Sequence, residues 1–265
     1  MQESGGKEYI IKSAEITGEL LKKSGFNLNF APVLDIKRFE DAHALGDRCY
    51  GENKEDVTRY GIEVMKKLQK QGIVSVIKHF PGHGATKQDS HTFLPIITNK
   101  MEKLEKDDMY PFEEAIKSGA DAILVGHLLI KNVTGIYPAS LSRKFIYKYL
   151  RKKYRYNGVV ITDDLKMKAI KMIYGEYRAV KKAFEAGNDI IVFRFNKEEE
   201  KRVIEKIINL VKNGKIKESR INKSTRRIIN LKEKYNFSDS LEIEGINIEE
   251  INNRIQEIRK KCDIK

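Results

Sequence analysis

The sequence contains no apolar run approaching the length of a membrane-spanning helix, although 40% of its residues are hydrophobic. No membrane span is expected, and a soluble globular protein is. At the amino terminus there is no charged region followed by an apolar region and a cleavage site, so no signal peptide is expected and a cytoplasmic location is favoured. There are only two cysteines, Cys49 and Cys262. Their wide separation argues against a disulfide framework and against a zinc site. Acidic residues are outnumbered, 38 against 51 Lys and Arg, leaving a net charge of +13. Such a balance suits a binder of nucleic acid or another polyanion. The lysines are spread along the chain, however, which reads as solvated faces, and no nucleic-acid recognition motif accompanies them. No nucleic-acid partner is expected.

The 265 residues suffice for one large domain or two small ones. Apolar spacing predicts a helix over Lys7–Ser24, stopped by Gly25. A strand-like run from Phe26 follows, ending in the carboxylate of Asp35. Further helices are predicted over Lys54–Gln71 (starting near Asn53), Met101–Ser118, Leu141–Tyr154 with Ser140 as cap, and Tyr177–Ala186. The lysine-rich Glu198–Lys234 region is broken near Gly214 into at least two helices. Asn236–Gly245 reads as a polar linker, and Ile246–Lys261 as a peripheral helix. Five strand candidates start near Asn27, Val74, Ala122, Val159 and Ile190. Alternation of strand and helix implies parallel βα units and an α/β fold. The boundaries that follow are a main domain over residues 1–237 and a linker with C-terminal helix over 238–265.

Chemistry concentrates in Ser75–Pro95, SVIKHFPGHGATKQDSHTFLP. A β-branched run opens it, and the chain breaks at Pro81-Gly82 into a loop carrying His79, His83, Asp89 and His91. Functional groups of α/β folds collect just past the carboxyl ends of strands. An aspartate beside a histidine, as in Asp89-x-His91, can hold the imidazole in one tautomer and make it a proton shuttle near neutral pH. The same loop would equally hold histidines that only hydrogen-bond locally. Asp163-Asp164 ends the apolar run from Gly158; paired carboxylates there fit a nucleophile or a metal site, and equally a strand end followed by a helix cap. Asp35 carries a similar ambiguity. His127, ending another strand, either faces the site or is buried and hydrogen-bonded. Arg48, in the glycine-punctuated ALGDRCYG loop, is a ligand or a surface ion pair.

Taken whole, KHFPGHG followed by DSH and LP resembles the glycoside hydrolase family 3 β-N-acetylhexosaminidases, in their NagZ-like branch. N-F-A-P-V-L-D, the loop around Arg48, and V-I-T-D-D-L match further family segments. The resemblance runs from about Lys7 to Phe237 and implies a (β/α)8 TIM-type barrel. It implies His91 as general acid/base with Asp89 as its partner, Asp163 as nucleophile, and Lys78, His79 and Arg48 as sugar ligands. No metal and no organic cofactor would be needed. The implied activity is a retaining exo-β-N-acetylglucosaminidase on terminal GlcNAc of peptidoglycan-type fragments. A β-N-acetylglucosaminide phosphorylase and an inactive sugar-binding fragment or subunit are the alternatives.

The family's first strands, including one ending in V-D-Q-E-G-G, have no counterpart; Gln2–Gly6 gives only a faint echo. An amino-terminally truncated barrel of about five βα units is therefore expected. Its strands near Asn27 and Ile190 would be edges, to be covered by a second copy, a missing amino-terminal piece or the C-terminal helices.

Overall fold

The computed structural model describes residues 6–39, 45–86, 94–131, 133–194, 196–237, 245 and 247–261. Helix α1 (Gly6–Lys23) leads to strand β1 (Leu28–Asn29). Helix α2 (Lys54–Lys70) is capped by Asn53, whose side chain accepts from the Asp56 amide, and its apolar stripe of Val57, Tyr60, Val64, Met65 and Leu68 is buried. Strand β2 (Val74–Phe80) follows. After it come β3 (Ile96–Ile97), α3 (Met101–Lys106), α4 (Tyr110–Lys117), β4 (Ala122–Val125) and β5 (Leu129–Ile130). A short turn of helix, α5 (Arg143–Phe145), runs directly into a π-helix over Ile146–Lys153. Strand β6 (Val159–Thr162) is followed by α6 (Lys168–Tyr174), α7 (Glu176–Ala186), α8 (Lys197–Lys212), α9 (Glu218–Lys234) and α10 (Ile248–Lys261).

The main sheet has the order β1-β2-β4-β6, all parallel. A fifth segment lies beyond β6: Ile190 forms a parallel bridge with Ile161, and the Thr162 amide donates to the Ile190 carbonyl at 3.1 Å. The expected α/β architecture, with five parallel segments near the expected positions, is what the chain adopts. β3 and β5 pair apart as a two-stranded sheet.

Period-2 alternation sorts the strand side chains between two cores. Ile77, Ile123, Val125 and Val160 join Met65, Phe112, Phe145 and Tyr149 under the helices. Phe80, fully buried, meets Phe112 at 5.5 Å and Phe145 at 5.8 Å between ring centroids. Burying each such side chain favours folding by about 1.5–3 kcal/mol. The opposite face, with Val74, Val76, Ala122, Leu124, Val159 and Ile161, packs against Ile228 and Leu231 of α9 and against Tyr235 and Phe237 beyond it. α9 thus closes over the face that the main helices do not cover. Its end is fixed by Lys234 Nζ and Tyr235 Oη on the Asp121 carboxylate, just before β4. α10 lies against α1, where Arg254 pairs with Glu19 at 2.7 Å. Phe26 and Phe30, flanking β1, remain 60% and 38% exposed.

The structure corrects several local expectations. Met101–Ser118 is two helices, because the chain turns at Asp107–Met109 and Pro111 sits in the first turn of α4. Ser142, not Ser140, caps the next helix by accepting from the Phe145 amide; Ser140 is fully buried. The helix itself widens to π geometry, closing with Tyr154 N–H donating to Tyr149 O. Phe26–Asp35 is strand only at Leu28–Asn29, with an isolated bridge from Val33 to Lys78. Asn188–Phe193 likewise forms an isolated bridge at Ile190, with further backbone hydrogen bonds at Asp189 and Val192, and no continuous strand. α6 was not expected. The linker residues 238–244 and Cys262 lie outside the described residues.

Candidate active site

The carboxyl ends of β1, β2, β4 and β6 converge on a cluster of titratable groups. β2 and β4 slip register between Ile77 and Phe80. Such an irregularity re-aims side chains, and it falls on Lys78 and His79. Beyond Pro81 the backbone turns sharply. Gly82 has φ +120°, and a Cβ there would lie 2.8 Å from Asp108 Cβ. A Cβ on Gly84 would lie 1.9 Å from the Ile36 carbonyl oxygen. The two glycines let the turn press onto Ile36 and Asp108, which buries His83.

Asp35 is the centre of this cluster and is fully buried. It accepts from the His83 amide at 2.6 Å, from the His79 amide at 3.2 Å, and from His79 Nδ1 at 2.6 Å. A carboxylate can only accept, so Nδ1 carries the ring proton and Nε2 of His79 is left for another partner. Burial alone would raise the Asp35 pKa. The electrostatic attraction and hydrogen bond of His79, then the ring and amide of His83, outweigh that and hold it below the usual carboxylate range. Both ring nitrogens of His83 are buried without a hydrogen-bond partner among the described residues, and burial lowers its pKa.

Asp163 follows β6 directly. Its amide donates to the Val125 carbonyl, and its Oδ1 accepts from the Asp164 amide at 2.8 Å. Burial would raise its pKa, but His127, His79, that amide and Lys78 together hold it low. Asp163 is therefore anionic at neutral pH, beside Lys78 and His79 of β2 and His127 after β4. Lys78 has a lowered pKa, from burial first and the like charge of Arg48 second, with Asp163 and Asp35 opposing.

His127 is buried, as one of its two expected settings had it. Its Nε2 donates to the Asp164 carbonyl at 3.1 Å, so Nδ1 accepts the Ser140 hydroxyl at 2.7 Å. Burial lowers its pKa, leaving it neutral. Asp164 is turned away: it receives the Lys166 amide and pairs with Arg194 at 2.6 Å.

Of the residues singled out in the sequence, Asp163, Lys78 and His79 are brought together. Arg48 is exposed on a short helical turn, donates from Nε to the Leu45 carbonyl, and lies near enough to act on Lys78. It also borders a cavity of about 330 Å³ between α1 and α2. Asp89 and His91 lie outside the described residues. Asp35 and His83 belong to the cluster but were not among the chosen site residues. Asp35 carried the same signal as Asp163, a carboxylate closing an apolar run. Among the described residues no three metal-ligating groups gather, and no helix is long and apolar enough to cross a membrane.

Residues 1–231 match the family described as Glycosyl hydrolase family 3 N terminal domain. Beta-hexosaminidase A of Pseudoalteromonas piscicida is 31% identical over 247 residues, 86% of this chain and 41% of that protein. Beta-hexosaminidase LpqI of Mycobacterium tuberculosis is 32% identical over 221 residues, 81% of this chain and 56% of that protein. The solved structure of a glycoside hydrolase family 3 beta-N-acetylglucosaminidase from Paenibacillus sp. superposes with a TM-score of 0.89 at 35% identity, covering 97% of this chain and 50% of its own. The chain thus spans about half the length of these relatives. With its parallel βα architecture and this match over most of its length, the chain belongs to glycosyl hydrolase family 3 and carries the family's TIM-barrel-type amino-terminal domain.

Proposed function

We propose that the chain performs retaining hydrolysis of terminal β-linked GlcNAc, with peptidoglycan-type fragments as substrates. The observation that carries this reading is Asp163: a carboxylate held ionised at the carboxyl end of β6, amid Lys78, His79 and His127. An anionic oxygen with its charge balanced by protein cations is a competent nucleophile toward an anomeric carbon. It would form a glycosyl-enzyme and be released by water. Nε2 of His79 and the ammonium of Lys78, without a hydrogen-bond partner among the described residues, would hold sugar hydroxyls, and Arg48 extends the same wall outward. On sequence grounds His91, oriented by Asp89, gives a proton to the leaving oxygen and takes one from the incoming water. The relatives named beta-hexosaminidase support the substrate class.

The test is turnover of 4-nitrophenyl N-acetyl-β-glucosaminide, with the anomeric product followed by NMR. Release of β-GlcNAc is expected, and α-GlcNAc would exclude a retaining route. With azide added, Asp163→Ala should yield the α-azide, a product His91→Ala cannot give. GlcNAc 1-phosphate as the main product in phosphate buffer would replace hydrolysis by phosphorolysis. Asp89→Asn should remove the pH limb set by His91; an unchanged profile would show that the two do not work together.

A further inference from the structure

The lysines that are scattered in sequence are gathered in space. A groove of about 880 Å³ runs between α5, α7 and the start of α9. Its walls carry Arg143, Lys144, Lys182, Lys215, Lys217 and Lys223. Two smaller cavities, of about 260 and 480 Å³, continue it past Lys223 and add Arg151, Arg226 and Arg227. Among the described residues lining all three, the single acid is Glu185, already paired with Lys181 and Lys182. The whole chain has 38 acids against 51 Lys and Arg, so the groove departs far from the chain's average. Beneath it, three arginines (Arg151, Arg220 and Arg227) converge on one buried carboxylate, Asp189, leaving the floor positive as well. Asn157, just before β6, lines the two smaller cavities, and none of the residues lining the three belongs to the cluster around Asp35 and Asp163, so the groove is separate from the candidate active site.

Three features narrow the occupant. The surface is concave, whereas a bilayer is flat. Rings on which nucleobases would stack are scarce: of the two lining tyrosines, Tyr137 is already stacked on Tyr174 at 5.6 Å with Lys182 over it at 5.2 Å. Five of the seven cations lining the main cavity are lysines, point charges suited to phosphate oxygens that present no fixed planar edge. Of the guanidiniums in the floor, Arg220, which lines the main cavity, is spent on the Phe184 and Asn188 carbonyls and Ser224. We propose that this groove docks a linear phosphodiester polymer without bases, of the polyol-phosphate type, and so holds the protein on an anionic polymer while the cluster around Asp163 is left open.

The test is binding of fluorescent poly(glycerol phosphate) by the full chain across a salt series, with the triple variant Arg143→Gln, Lys215→Gln, Lys223→Gln alongside. All three positions are exposed. Wild type should bind with steep salt dependence. The triple variant should lose about tenfold or more in affinity, and its log K against log salt slope should fall by about 2, the amount set by three lost phosphate contacts. The charge-keeping pair Lys215→Arg, Lys223→Arg should retain binding. No binding by wild type, or an unchanged slope in the triple variant, overturns the proposal. Equal or tighter binding of oligo(dT) or polyglutamate overturns the choice of a base-free phosphodiester. The readout is binding, so it stands or falls independently of glycosidase activity.

Discussion

The two ends of the sheet hold the same ingredients in opposite states. At the amino-terminal end, buried Asp189 is saturated: Arg151 at 2.7 Å, Arg227 at 3.1 Å, the Ser224 hydroxyl and the Val160 amide all reach it. Asp121 is gripped likewise by Lys234, Tyr235 and Gln69. At the carboxyl end, among the described residues, Asp163 has Lys78 near it but only one amide bound to it, His83 has two orphaned nitrogens, and His79 offers a free Nε2. Saturation at one end fixes the fold. Vacancy at the other leaves lone pairs and protons for something that is not protein. A carboxylate's function is thus read from how completely its neighbours satisfy it, more than from its charge or burial.

Exchanging the roles of the two aspartates is the hardest test of this contrast. Asp163→Ala should cut glycosidase turnover by about 10⁴-fold or more, while its melting temperature stays level or rises, since sites poised for chemistry are often locally unfavourable to folding. Asp189→Ala should do the reverse, costing about 3–5 kcal/mol because three guanidiniums lose their counter-charge in a buried site. Urea denaturation and initial rates on the folded fraction separate the two. A stability loss at Asp163 as large as that at Asp189 would erase the distinction.

Asp35 tests the contrast from within the carboxyl end, since it is well satisfied there and so should act on the fold. Its folded pKa lies below the ordinary value of 3.8. The stabilisation it gives is therefore present above pH 3.8 and is lost as pH falls from there through the folded value. Asp35→Asn should cost about 2–3 kcal/mol at pH 7, and the gap to wild type should close in acid. A gap of equal size at pH 7 and pH 3 would mean that the carboxylate charge is not what matters.

The smallest effect gives the baseline. Ser142 caps a helix belonging to neither end, and Ser142→Ala should cost about 1 kcal/mol with unchanged kcat. A larger loss would place the start of that helix in the same cooperative network as Asn188, which donates to the neighbouring Ser140 carbonyl.

Much of the fold was legible because local signals sufficed. The apolar stripe and Asn53 cap of α2, the β-branched opening of β2, and the apolar run ending at Asp163 each declare themselves within a dozen residues. What the sequence hid depends on neighbours distant in the chain. Asp35 becomes a histidine anchor only because β1 and β2 are adjacent, across 44 residues. The basic groove forms only because α5, α7 and α9 meet. The Ser140 error has the same cause: a serine before a helix suggests a cap, but His127 had a prior use for that hydroxyl. The break at Asp107–Met109 does carry a local mark, Pro111 in the first turn of α4.

The fixing of α9 on Asp121 bears on how the chain is made. Lys234 and Asp121 are 113 residues apart, and the apolar face formed by β2, β4 and β6 has Leu231, Tyr235 and Phe237 as part of its cover. A ribosome delivers those strands well before their cover. During synthesis the sheet must therefore wait, half-clad, until nearly the whole domain has emerged, an interval in which a nascent chain depends on chaperones. Stalled nascent chains ending before α9 should be cut readily by protease within β4 and β6, and chains released beyond Phe237 should resist.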